Sequence, residues 1–374
     1  MGGGGPVSTG GASGAAGASG TGGASGVGGG AVGGAPGTGG SRLCMGAVCC
    51  IPACAADQIC RAGTCQSRLT EFSVNKPLTV SPYGLVWGPD GNLWFTALEG
   101  FIGRLTPAGE VRQFDLLPFS QPLAITTGPD KNLWFTEFLS SEVGRIGIDG
   151  TVLSLFPLPG LPGQGTGAGP MAIITGPDGN AWNVEYQTGR IDRITPAGSV
   201  TSYTPDAPDA RLYSVTVGPD GDIWFTEAGL DRIGHVSTSG VVGQLIYTGS
   251  GTQPRGITVG PDGNLWFAAG GSGEIGRISK QGIVTRFPAG STKALYPTSI
   301  TAGADGNLWF TYYASSGPAP TIGRMTPQGQ LTEFLLPHTA SQPSPTLGEI
   351  VTGADGNLWF TEPAGGLIGR FDPR

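Results

Sequence analysis

The chain is 374 residues long, with 38% apolar and only 13% charged residues, 69 Gly and 31 Pro. Low charge, abundant Gly and few helix formers point to an all-β protein with many turns, and the length allows more than one domain. A net charge of −7 without any Lys/Arg patch argues against nucleic acid or an anionic membrane as partner, and no run of 18 apolar residues is present to span a bilayer.

Residues 1–41 are almost wholly Gly, Ala, Ser and Thr. Such a segment buries too little apolar surface to offset its ordering entropy, so a flexible tether is expected. It carries no basic start and no apolar h-region, so no signal peptide is visible. Residues 42–66 hold all six Cys: Cys44, Cys49, Cys50, Cys54, Cys60 and Cys65. So short a run cannot fold around an apolar core, and cross-links must hold it. No His lies nearby and the paired C-x2-C spacing of zinc ribbons is missing, so three disulfides are expected rather than a metal. Disulfides imply an extracellular, cell-surface or periplasmic location, with an export segment expected upstream of the given start.

Residues 67–374 are organised on one repeated stretch. Gly88-Pro89-Asp90-Gly91-Asn92-Leu93-Trp94-Phe95-Thr96 returns with changes around Trp134, Trp182, Trp224, Trp266, Trp309 and Trp359. Copies about 40–50 residues apart mean an array of similar supersecondary units. Asp-Gly needs positive φ and marks a tight turn between two strands. Leu-Trp-Phe-Thr is aromatic and β-branched, which suits a strand packed on both faces. An Ile-Gly-Arg-Ile strand, a Pro-x-Gly turn and a further strand complete each unit. Four antiparallel strands are the content of one propeller blade, so a seven-bladed β-propeller is expected. A Gly recurs in the third strand at Gly103, Gly144, Gly234, Gly276, Gly323 and Gly369, with Asp192 in the remaining unit; such a Gly marks close backbone approach or a bulge.

The chain stops before the last unit can make its fourth strand. Leu69-Thr70-Glu71-Phe72 repeats Leu331-Thr332-Glu333-Phe334 letter for letter. The N-terminal strand is therefore expected to complete the last blade and remove the open edge. Long connections at 156–170, 313–320 and 337–347 all fall on one face, opposite the Asp-Gly turns. Loops on a rigid scaffold are where binding usually sits, so a small-molecule, peptide or protein partner is expected there, on a monomer.

Gly-Pro-Asp-Gly-Asn-Leu-Trp-Phe-Thr-Glu followed by Ile-Gly-Arg-Ile-Thr-Pro resembles the virginiamycin B lyase (streptogramin B lyase) family over about residues 68–374. The resemblance implies a seven-bladed propeller, a Mg²⁺ ion, and an elimination that opens a cyclic depsipeptide at its ester bond. That chemistry needs a base beside a carbonyl and a cation for the developing charge. The family's Tyr matches Tyr83. Its two His positions fall on Thr298 and Gly348, its Glu positions on Thr346 and Pro363, with Glu362 one residue away. The resemblance therefore implies a carbon–oxygen lyase whose His are missing. Loss of elimination with retained ligand binding is the expected outcome, and a lyase with a rearranged site around Tyr83, His338 and Glu362 is the alternative. Tyr83, Arg255, Thr298, Tyr312 and Glu349 are the candidate ligand-binding residues. Glu349 and Glu362 are the candidate cation ligands, though one carboxylate makes a poor Mg²⁺ site.

Of the two His in the chain, His235 replaces the repeated Arg in unit four, as a scaffold substitution, and His338 lies in the loop entering unit seven. Glu137, Glu185, Glu227 and Glu362 share one place after the Trp strand. Pairing with the repeated Arg104, Arg145, Arg193, Arg277, Arg324 and Arg370 is the expected reason, an acidic rim around the funnel the alternative.

Overall fold

The computed structural model describes residue 54 and residues 58–61, 64–74, 80–160, 167–205, 208–290, 295–314, 320–337 and 346–374. All of them belong to one unit, Cys44–Arg374. The Gly-rich tether, Cys44, Cys49, Cys50 and His338 lie outside the described residues.

Each copy of the repeat becomes a four-stranded antiparallel sheet. In blade one the strands are Pro82–Trp87, Leu93–Ala97, Phe101–Leu105 and Val111–Asp115, paired in that order. The first strands of successive blades pack side by side. Pro82–Trp87 contacts Pro122–Thr127, which contacts Pro170–Thr175, then Leu212–Val217, Pro254–Val259, Leu295–Ala302 and Ile350–Thr352. Ile350–Thr352 returns to Pro82–Trp87, so seven sheets close a ring around a central funnel. The fold is an all-β seven-bladed propeller, and no helix of the described residues is long and apolar enough to cross a membrane.

The ring closes as its sequence match implied. Leu69–Ser73 is the outer strand of blade seven, paired with Leu367–Phe371 in the register Leu69↔Phe371 to Ser73↔Leu367. Phe72 stacks on Trp359 with ring centroids 5.5 Å apart, and the Arg370 guanidinium lies 5.5 Å over the Phe72 ring. The two ends of the propeller are thereby held in one sheet.

The repeated residues fill repeated places. Every residue of Leu93–Ala97 is buried, as a strand between two packed faces requires. The Phe95 ring lies over Gly103, where an added Cβ would come within 2.0 Å of it, so the third-strand Gly marks close approach. Gly91 takes φ 73° in the tight turn, and Asp90 Oδ1 accepts both the Asn92 N–H and the Trp94 indole N–H at 3.2 and 3.0 Å. Threonine hydroxyls then link blade to blade. Thr96 Oγ1 donates to the Leu123 carbonyl at 2.6 Å, and Thr226, Thr311 and Thr361 donate to those of Arg255, Gly348 and Tyr83 at 2.8, 2.7 and 3.1 Å. Each such bond contributes about 1 kcal/mol net and fixes where neighbouring first strands sit.

Two short strands precede the propeller. Gln58–Arg61 pairs with Thr64–Ser67, Cys54 is disulfide-bonded to Cys65, and Cys60 is also in a disulfide. Arg68 joins this hairpin to the chain's end, donating to the carbonyls of Gln58, Asp372 and Arg374 at 3.4, 3.2 and 2.6 Å.

Candidate ligand site in the central funnel

The first strands begin at the loop face and run toward the Asp-Gly turns. Their second position therefore lies near the loop-face mouth of the funnel. Tyr83 holds that position in blade one, Tyr213 in blade four and Arg255 in blade five. The Tyr213 phenol lies close enough to Tyr83 to act on its hydroxyl. Blades one and four are not neighbours, so the two phenols approach each other across the funnel itself. The Arg255 guanidinium lies 5.6 Å over the Tyr213 ring, a cation–π geometry. Gly270 makes room for it, since an added Cβ there would sit 2.8 Å from Arg255 Cδ. Glu349 enters from blade seven, and its Oε2 accepts the Leu85 N–H at 2.9 Å.

The electrostatics of this cluster follow from its burial. Loss of water, then Tyr213, pushes the Tyr83 phenol well above its ordinary range, with Glu349 adding and Arg255 opposing. Burial pushes the Glu349 carboxyl up to about 7, against the Leu85 hydrogen bond. Two phenols, a guanidinium and a carboxyl pushed up to about 7 thus converge on one opening. Such a set can donate hydrogen bonds to a carbonyl or carboxylate of a ligand and exchange one proton near pH 7.

The virginiamycin B lyase family profile matches residues 51–242 and 160–374. The chain belongs to the virginiamycin B lyase family. A 52-residue stretch is 52% identical to the virginiamycin B lyase of Bordetella pertussis, covering 14% of this chain and 17% of that relative. The matched stretch is therefore a small part of the curated relative's length. Among solved structures, a streptogramin B lyase superposes with a TM-score of 0.72 at 28% identity, over 81% of this chain and 97% of its own. A catalytically inactive virginiamycin B lyase of Staphylococcus aureus, solved with quinupristin, superposes with a TM-score of 0.71 at 29% identity, over 81% and 98%.

Against the virginiamycin B lyase pattern, Tyr83 and Glu349 belong to the funnel cluster, whereas Tyr312 and Glu362 do not. Tyr312 is only 2% exposed, in the apolar core between blades five and six, and its hydroxyl donates to the Ala289 carbonyl. Its expected ligand contact is corrected by strand alternation, which turns its ring into the core with Phe310. Glu362 is 3% exposed inside blade seven, where burial and then Glu71 push its carboxyl up to about 7. Thr298 is partly buried and its hydroxyl lies 3.3 Å from that of Thr311, while a side chain at Gly348 would run into Thr361 Oγ1.

The Mg²⁺ that the virginiamycin B lyase family implies finds a poor donor set here. Mg²⁺ takes several oxygen ligands in near-octahedral array. The cluster offers one carboxylate, Glu349, with an oxygen already held by Leu85 and a guanidinium nearby. Among the described residues no group of three His, Cys, Asp or Glu converges on the funnel.

The repeated Glu and Arg do not pair with each other, which corrects the expected explanation. The register sets Trp134 opposite Arg145 but Glu137 opposite Glu142, so the two lie at different ends of the blade. The Arg side chains instead cover the Trp rings, as Arg145 does at 5.6 Å, while Glu227 pairs with Arg232 at 2.8 Å. Nor are the Glu a rim, since Glu137, Glu185 and Glu227 are at most 1% exposed. Tyr213 was missed in the sequence although it occupies the place of Tyr83 in its own repeat, a signal that aligning the blades would have exposed.

Proposed function

We propose that this exported propeller binds a small-molecule or peptide ligand at the loop-face mouth of its funnel and does not perform its family's elimination. The observation that carries this is the occupancy of the place that Tyr83 holds in its repeat. A guanidinium and two phenols stand there with Thr298 and Gly348, and no imidazole occupies either family position. Arg255 and the phenols suit a ligand bearing a carboxylate or carbonyl. Thr298 cannot accept a proton near neutral pH, Gly348 has no side chain, and the Tyr83 phenol is held protonated. A placed base contributes roughly 10²–10⁴-fold to such a step.

Purified protein incubated with quinupristin, with and without Mg²⁺, should leave it intact by mass spectrometry. A linearised product overturns this part of the proposal. Small carboxylates and depsipeptides tested by thermal shift should include stabilisers whose effect disappears in Arg255→Ala. A set without any such stabiliser counts against the binding role.

One observation favours a second reading, a rearranged lyase. Glu349 titrates near neutrality beside Tyr83 and is placed to act as a base. Turnover lost in Glu349→Gln but kept in His338→Ala supports that reading, and the reverse assigns the base to His338.

A further inference from the structure

Blade four departs from the other six at the turn face, and it does so twice in one place. The residue two after the turn Asp is Asn in the six others and Asp222 here, and the third-strand Arg is His235 here. In blade one, Asn92 Nδ2 donates to Asp90 Oδ2 at 2.7 Å and Arg104 lies 3.8 Å from the same oxygen. That place therefore holds one carboxylate, one amide donor and one fixed cation. In blade four it holds two carboxylates and an imidazole. The donor and the permanent cation are both gone, and two metal-ligating groups replace them beside the turn Asp that every blade keeps.

We propose that Asp220, Asp222 and His235 form a binding site for a divalent transition metal such as Zn²⁺. Their ligand atoms all lie within 4.8 Å of one another, and His235 Nδ1 stands 2.8 Å from Asp222 Oδ2. Two carboxylate oxygens and one imidazole nitrogen are a set that Zn²⁺ accepts, with open positions left for water.

The surroundings orient these groups. The His235 ring stacks on Trp224 with centroids 4.4 Å apart, taking the place that a fourth-strand aromatic fills in the other blades. On the ring's far side the Gly243 backbone packs so closely that an added Cβ would sit 2.1 Å from Nε2. Nε2 is thus covered and Nδ1 faces the carboxylates. The Trp224 indole N–H donates to Asp220 at 2.9 Å, holding that carboxylate in turn. Outer partners of this kind fix ligand orientation in metal sites.

The site opens to solvent through its carboxylates, Asp220 being exposed and Asp222 half-buried, and its His235 side borders a cleft. In neighbouring blades the Arg reaches across to the next blade's turn, as Arg193 does to the Thr238 carbonyl at 2.9 Å and Arg277 to Pro327 at 3.1 Å. His235 is too short for that span. A cleft of about 680 Å³ opens there instead, lined by His235, Gln244, Ile246, Tyr247 and Gln281. The outer strand is cut back to Ile246–Tyr247 at the same point.

The test is calorimetric titration of the full-length, disulfide-oxidised chain with ZnCl₂. The expected result is one Zn²⁺ bound per chain, with a Zn²⁺-dependent rise in melting temperature. The comparison is the double variant Asp222→Asn with His235→Arg, which restores the residues of the other six blades and so should fold. It should lose both the binding and the thermal rise while melting normally without metal. Equal Zn²⁺ binding by the double variant, or none by the wild type, overturns the proposal. If the double variant unfolds, Asp222→Asn alone must weaken binding about tenfold or more.

Discussion

Glu349 Oε2 accepts the Leu85 backbone N–H at 2.9 Å, so a carboxyl from the last first-strand grips the first one across the seam of the ring. At the matching place the other six blades carry Gly84, Ala124, Ala172, Ser214, Gly256 and Ser299, none of them an acid or a base. The seam is therefore the one inter-blade junction of this ring with a titratable group at that place, and it borders the funnel cluster.

The Glu349 carboxyl is pushed up by burial from its ordinary 4.5 to about 7. A carboxyl raised on folding contributes stability that is complete below the ordinary value and is lost as pH rises through the raised one. Melting temperature should therefore fall between pH 5 and 8, and Glu349→Gln should flatten part of that fall. The part is about 1–2 kcal/mol after allowance for partial exposure. Thermal melts of both proteins across that range check it; an unchanged slope in the variant would remove Glu349 from the account.

Blade three carries a second pH-dependent element. Asn183 and Asp192 replace the Phe and Gly that pack together elsewhere, and Asp192 faces Glu185 inside the blade. Burial, then Asp192, pushes the Glu185 carboxyl well up, and burial raises Asp192 too, so the pair retains a proton. Stability held by that proton declines as pH rises into the alkaline range. Asn183→Phe with Asp192→Gly should restore the repeat, raise the melting temperature at pH 9 and reduce its dependence on pH. A double variant less stable than wild type at pH 9 contradicts this.

The closure strand should matter thermodynamically. Phe72→Ala removes the stack on Trp359 and the face that Arg370 covers. Phe72 is only partly buried, so a loss of about 2–3 kcal/mol is expected, below the ~3–5 of a fully buried Phe. Differential scanning calorimetry measures it, and a loss within error of zero would mean that Leu69–Ser73 does not secure the ring.

All six Cys should be oxidised. Cys54–Cys65 and the disulfide of Cys60 account for part of the set. Intact mass before and after reduction should differ by six hydrogens for the six Cys. Peptide mapping should recover Cys54 linked to Cys65. A free thiol in the non-reduced protein defeats the expectation.

The architecture was readable in one dimension because a propeller repeats its packing. The Trp-Phe-Thr strand, the Asp-Gly turn and the third-strand Gly each answer a local demand that recurs in every blade. Even closure showed, since Leu69–Phe72 copies a fourth-strand sequence. Tyr83, Arg255 and Glu349 were candidates from the sequence, but their meeting with Tyr213 was hidden, because only the closed ring brings blade one against blade four. Sidedness was hidden for a different reason. A strand buried on both faces carries no polar alternation, so Tyr312 in the core and Tyr83 in the funnel look alike as letters. The Arg–Glu error has the same origin: both recur in every repeat, but the register Trp134↔Arg145 and Glu137↔Glu142 sets them at opposite ends of the sheet. Periodicity reports which residues share an environment, whereas hydrogen-bond register and ring closure choose which of them meet.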